Sequence, residues 1–385
     1  MMEPKVVIDA IFFQIANSGI ARVWRSIFRE WSESFLLEGA VIIDRDKTCP
    51  LFDGFIYEDM PRYDFVHTAN DVFAIEEICQ KHQADIFIST YYTTPVSVPS
   101  LMMVYDMIPE RFGFDMSIRG WREKDMAIRH ASGFLSISHS TAKDLLELYP
   151  EIPPQSVKVA HCGVDRRTFY PRTAAEISSL RAKYGVKGDY YLFVGSRSQM
   201  KGYKNAQLFF NSLSQVEKKD FSIVCIGGQA ELEDYIKVFT SEIDIHLLYI
   251  SDEELSVFYS DAIALVYPSL YEGFGLPIIE AMACGCPVIT TKAGSIPEAA
   301  GEAAYSISGM DEGEMARAIV EIRKPQVRED LITKGITHAA NFTWRKMADI
   351  TYDAIMKMYQ YKDCYQQAEQ VQHWQEYRQL LQQLQ

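Results

Sequence analysis

The 385 residues carry 52 acidic against 38 basic side chains, a net charge of −14. That balance excludes the electrostatic footprint of a duplex nucleic-acid binder. With 48% apolar and 23% charged residues the chain is neither disordered nor fibrous, and it is longer than one core ordinarily fills, so two domains are expected.

The chain opens on Met1-Met2-Glu3-Pro4-Lys5, which has no charged lead or small-residue cleavage site of a signal peptide. No stretch approaches the roughly 20 apolar residues that span a bilayer. Short β-branched runs then alternate with helix-length segments. Candidate strands fall at 6–8, 40–43, 85–88, 101–104 and 133–136, then at 191–194, 222–226, 246–248, 264–267 and 288–290. Such spacing indicates parallel sheets built from βαβ units. Asp9 ends the first run, and Gly19 precedes an amphipathic stretch at 20–31. The least regular zone is 150–171, with Pro153-Pro154 and Pro171, so the domain change is placed there. The expected division is 1–165, 166–342 and a helical extension at 343–385.

That extension has helical spacing in Trp344, Met347, Ala348, Thr351, Ile355 and Met358. Beyond it, residues 360–385 contain ten glutamines and a brief heptad-like seam in Trp374, Tyr377, Leu381 and Leu384. Docking on its own domain, self-association and a membrane-interface contact are the three open readings of this tail. Of the seven scattered cysteines only Cys284 and Cys286 lie close, and they read as small residues packed in a turn. The cysteine pattern fits a reducing, cytoplasmic compartment.

The densest chemistry lies at Ser269-Leu270-Tyr271-Glu272-Gly273-Phe274-Gly275-Leu276-Pro277, with Glu280 following. A strand runs into a glycine-bearing loop, and Pro277 opens a helix. The amides of Gly275 and Leu276 would then lie at a helix N-terminus, where phosphate is favoured. Glu272 and Glu280 bracket that loop. Asp44 and Asp46 have metal-site spacing but stand far from these motifs in sequence.

The 269–280 string resembles the Glu-x7-Glu motif of the retaining family 4 glycosyltransferases. Other blocks resemble further motifs of that family: Asn17-Ser18-Gly19-Ile20 its N-terminal glycine loop, Ser136 to Ser140 and His161 to Asp165 with Phe169 and Pro171 its junction, Tyr191 to Ser198 with Tyr203-Lys204-Asn205 its strand and basic loop for the donor pyrophosphate, and Gly294 to Glu298 the turn after the next strand. The resemblance implies an α/β GT-B fold, two Rossmann-like doubly wound domains facing across a cleft. It implies a nucleotide-sugar donor such as GDP-mannose or a UDP-hexose, and no cofactor or metal ion. The acceptor would be a saccharide or a lipid-linked saccharide, in cell-surface polysaccharide synthesis, with the enzyme cytoplasmic or peripheral to the inner face of the membrane.

By resemblance the catalytic group is Arg197, Lys204, Glu272 and Asp106. Gly19, Arg197, Lys201, Lys204, Phe274, Gly275, Leu276 and Glu280 would bind the donor, and Tyr91, Tyr105 and Asp106 the acceptor. Tyr105 stands where the family often has histidine and can donate a hydrogen bond but not act as a base near neutral pH. A sugar-nucleotide epimerase of the same fold and a non-catalytic binding subunit are the competing readings.

Overall fold

Every strand pair in the computed structural model is parallel, and the strands gather into two sheets. The structure describes residues 3–16, 18–64, 69–198 and 202–362. The first sheet contains β1 (Val6–Asp9), β2 (Val41–Arg45), β3 (Ile56–Met60), β4 (Ile86–Ser89), β5 (Ser100–Val104), β6 (Gly133–Ser136) and β7 (Val157–Val159). Their order is β3-β2-β1-β4-β5-β6-β7, so the winding reverses between β1 and β4. The second contains β8 (Tyr190–Val194), β9 (Ser222–Ile226), β10 (Ile245–Leu248), β11 (Ala264–Tyr267), β12 (Val288–Thr291) and β13 (Tyr305–Ile307). It is ordered β10-β9-β8-β11-β12-β13 and reverses between β8 and β11. In doubly wound sheets ligands bind beyond the carboxyl ends of the strands at such a reversal.

The inner strands are apolar on both faces because helices cover both sides. Val7, Ile8, Phe87, Leu192, Leu265 and Ile289 are essentially inaccessible. Expected strands agree with the inner members of both sheets and with the edge strand β10. The edge strands β3, β7 and β13, which carry no continuous buried run, were not expected.

Two units divide the chain, residues 1–161 with 344–385, and residues 162–343. The boundary thus lies a few residues before the expected 165/166. The helix Trp344–Gln360 is not a separate extension but part of the first unit. Trp31 Nε1 donates to Ala348 O at 3.1 Å. A Cβ on Gly133 would come within 2.7 Å of Met358 Sδ, so β6 admits the helix only where a side chain is missing. The glutamine-rich seam lies outside the described residues. Among the described residues no helix is long and apolar enough to cross a membrane.

Candidate functional site

At the reversal of the second sheet, the segment following β8 meets the loop that follows β11. Asn205 has φ 51°, a left-handed conformation that asparagine tolerates, and starts the helix Ala206–Ser212. Its Nδ2 donates to Pro268 O at 3.2 Å and to Gly309 O at 2.9 Å. Leu270 N donates to Tyr203 O at 2.7 Å, sewing the two loops together. Lys204 therefore arrives with a fixed backbone on either side. Its Nζ lies 2.7 Å from Glu272 Oε1 and 3.4 Å from the Tyr267 hydroxyl. Burial and the Glu272 carboxylate push the Tyr267 hydroxyl well above its usual pKa, so it stays protonated beside the pair.

Glu272 is held just as firmly. Ser295 Oγ donates to Glu272 O at 2.7 Å and reaches Phe274 O at 3.2 Å. Gly275 has φ 109° and precedes the helix Leu276–Ala283, with Pro277 in its first turn. A Cβ there would meet the end of the Ile278 side chain tightly, at 3.2 Å, but it is the left-handed backbone that calls for glycine. The sequence-expected loop-to-helix turn is present, and it brings Lys204 and Glu272 together across 68 residues.

Other expected residues sit differently. The Phe274 side chain is buried edge-on against Phe342, centroids 5.5 Å apart, so it offers a ligand only its backbone. Glu280 lies one turn inside the helix and is 2% exposed. Arg197 does not extend as a phosphate fork. Its guanidinium is fully buried, with Nε 3.0 Å from Glu233 Oε2, Nη1 donating to Gly227 O at 2.9 Å and Nη2 to Gln229 O at 2.5 Å. It holds the loop after β9, whose Gly228 would put a Cβ within 2.8 Å of Gly195 O. Lys201 and Asn17 lie outside the described residues.

In the first unit, Gly19 opens the helix Gly19–Ser34 and is exposed. Asp106 Oδ1 accepts from Ile108 N at 3.0 Å, turning the chain into the short helix Ile108–Arg111. The same turn is tied down by Lys124, whose Nζ donates to Asp106 O at 2.9 Å and to Glu110 Oε2 at 2.8 Å. Tyr91 is half-buried and stacked on Tyr92 at 3.9 Å. Burial and then the Asp106 charge raise its pKa. Tyr105 is not presented to a ligand. Its hydroxyl accepts from Trp24 Nε1 at 2.5 Å and donates to Thr90 O at 3.1 Å, inside the core.

Sequence reasoning missed a buried ionic cluster at the ends of β1 and β2. Asp9 takes Arg45 Nε at 3.0 Å and Nη2 at 2.8 Å, and accepts from Thr93 Oγ1 at 2.7 Å. Arg45 also reaches Asp71 at 2.7 Å. Burial alone would lower the Arg45 pKa, but Asp9 and Asp71 outweigh it and the guanidinium is held charged. The one available signal was Asp9 closing an apolar strand. Asp44, by contrast, spends an oxygen on Cys49 N at 2.9 Å, while Asp46 is exposed.

Comparison with known proteins bears on this geometry. Residues 188–324 match the family model described as glycosyl transferases group 1. The O-antigen chain mannosyltransferase B of Escherichia coli is 29% identical over 229 residues, which cover 57% of this chain and 59% of that protein. The alpha-maltose-1-phosphate synthase of Mycobacterium tuberculosis is 26% identical over 290 residues, 68% of this chain and 73% of the synthase. The match to the mannosyltransferase thus spans less than two thirds of that relative's length. Among solved structures, HepE of Anabaena in complex with UDP-glucose superposes with a TM-score of 0.71 at 16% identity, covering 92% of this chain and 100% of its own. Sucrose-phosphate synthase of Thermosynechococcus elongatus gives a TM-score of 0.69 at 17%, covering 92% and 99%. Residues 188–324 of the second unit are thus similar to the glycosyl transferases group 1 family model, in a chain of GT-B fold.

Proposed function

We propose that the protein is a retaining glycosyltransferase that moves a hexose from a nucleotide sugar to a saccharide or lipid-linked saccharide, in the synthesis of a cell-surface polysaccharide. The observation that carries this reading is the placement of Lys204 and Glu272, 2.7 Å apart, beside the N-terminus of the helix Leu276–Ala283 at the reversal of the sheet. Departure of a nucleoside diphosphate builds negative charge on phosphate, and a fixed cation with backbone donors is the most productive aid to it. Lys204 and the amides at Gly275 and Leu276 supply that aid without a metal ion. Glu272, a carboxylate at the edge of the same loop, suits the hydroxyls of the transferred sugar. Glu280, deeper in the helix, suits those of the ribose. Asp106 would orient the acceptor hydroxyl, whose proton passes to the departing phosphate. The mannosyltransferase relative and the UDP-glucose complex of the structural neighbour support a GDP-mannose or UDP-hexose donor.

The deciding experiment is a thermal-shift panel of UDP-, GDP- and dTDP-sugars, followed by turnover with the stabilising donor. Ligand that binds only the folded state raises the melting temperature by mass action. Turnover should survive EDTA, and NMR of the product should show the donor's anomeric configuration kept. An inverted linkage, or activity abolished by EDTA and restored by Mg²⁺, would reject the mechanism. No stabilisation by any nucleotide sugar would reject the function.

A further inference from the structure

Position along the chain alone would leave Glu272 with no influence on a free nucleoside diphosphate, which has no hexose for it to touch. The structure gives it one. Lys204 and Glu272 are paired at 2.7 Å with side chains 22% and 10% exposed. The pairing is enforced by the backbone, since Ser295 pins Glu272 O, Leu270 N is bonded to Tyr203 O, and Asn205 is anchored to Pro268 O and Gly309 O. A phosphate that takes Lys204 as its partner therefore competes with Glu272 for the same ammonium, one N–H of which is already spent on the carboxylate.

We infer that the Lys204–Glu272 ion pair is a specificity element that favours the intact nucleotide sugar over the free nucleoside diphosphate. The inference rests on the nucleotide-sugar reading above. A diphosphate that recruits Lys204 leaves the Glu272 carboxylate without its cation and beside new negative charge, which costs binding energy. A nucleotide sugar imposes the same separation but brings hydroxyl donors that satisfy the carboxylate. Only this difference between ligands can produce discrimination, because a cost common to both shifts nothing between them. After transfer the hexose is gone, Glu272 reclaims Lys204, and the diphosphate is released more readily.

The test is calorimetry on the full chain with UDP, GDP and dTDP and with the glucose or mannose conjugate of each. Glu272→Gln removes the charge and keeps the shape. It should tighten the best-bound diphosphate by roughly three- to tenfold, the range of a partly exposed ion pair, while the matching nucleotide sugar gains nothing. Glu272→Ala, read the same way, serves if the glutamine variant does not fold. On a Lys204→Ala background the gain should vanish, because the competing partner is already absent. A diphosphate affinity that is unchanged or weaker in the glutamine variant overturns the inference, as does a gain that persists without Lys204. Wild-type protein that binds the ligands, with no gain on substitution, sinks this inference alone. Wild-type protein that binds none of them sinks the nucleotide-sugar reading with it.

Discussion

Trp31 donates its indole N–H to the carbonyl of Ala348, 317 residues further on. The bond joins the helix Gly19–Ser34 to the helix Trp344–Gln360, so the last described helix completes the first unit's core. Both partners are fully buried. Trp31→Phe keeps most of the packing and removes the indole donor, while the Ala348 carbonyl keeps its bond within the helix, at a cost of about 1–1.5 kcal/mol. Gly133→Val should destabilise by a similar amount, because its Cβ meets Met358 Sδ. Denaturant melts check both, and Met358→Ala should recover part of the loss in the valine variant alone.

Arg197 and Lys204 were expected to act alike, and the structure separates them. Arg197→Ala removes a fully buried guanidinium from Glu233 and three carbonyls, a change that typically costs about 3–5 kcal/mol. Lys204→Ala leaves the Glu272 carboxylate without its cation, a loss of about 1 kcal/mol for a partly exposed pair, so its melting temperature should fall less than that of Arg197→Ala while turnover falls by roughly 10²-fold or more. Thermal melts beside steady-state rates distinguish the two. A stable Arg197→Ala protein with lost diphosphate affinity would restore the phosphate-fork role.

Glu280→Gln should weaken the nucleotide sugar and the free diphosphate together, since both carry the ribose. An apparent donor constant raised about tenfold with turnover nearly kept is the expected signature of uniform binding lost. Calorimetry that shows only the nucleotide sugar affected would move Glu280 from the ribose to the hexose.

The six described cysteines are all buried. Burial pushes the thiols of Cys49, Cys225, Cys284 and Cys286 up to about 12. A thiol raised this far holds almost no thiolate at pH 8, and thiolate is the reactive form. Iodoacetamide at pH 8 should leave these four unmodified in the native protein and label them after denaturation, as read by peptide mass spectrometry. Rapid native labelling of Cys284 or Cys286 would show that their turn opens.

The sequence by itself determined the interior of both sheets and the loop at 269–280. Strands covered on two faces must be continuously apolar, and a loop that turns into a helix at Gly275 and Pro277 has few chemical solutions. The edge strands β3, β7 and β13 escaped because β7 and β13 are only partly covered and Ile56–Met60 carries the adjacent acids Glu58 and Asp59, leaving no continuous apolar run to read. Tertiary structure alone decided which cation meets Glu272. Arg197 and Lys204 are seven positions apart on one polar stretch, and nothing local distinguishes a guanidinium that will be enclosed by the loop after β9 from an ammonium that will reach the loop after β11. It also decided that Trp344–Gln360 belongs to the first unit. An amphipathic helix states that it needs an apolar partner, but which one depends on surfaces hundreds of residues away, such as the gap at Gly133 and the indole of Trp31.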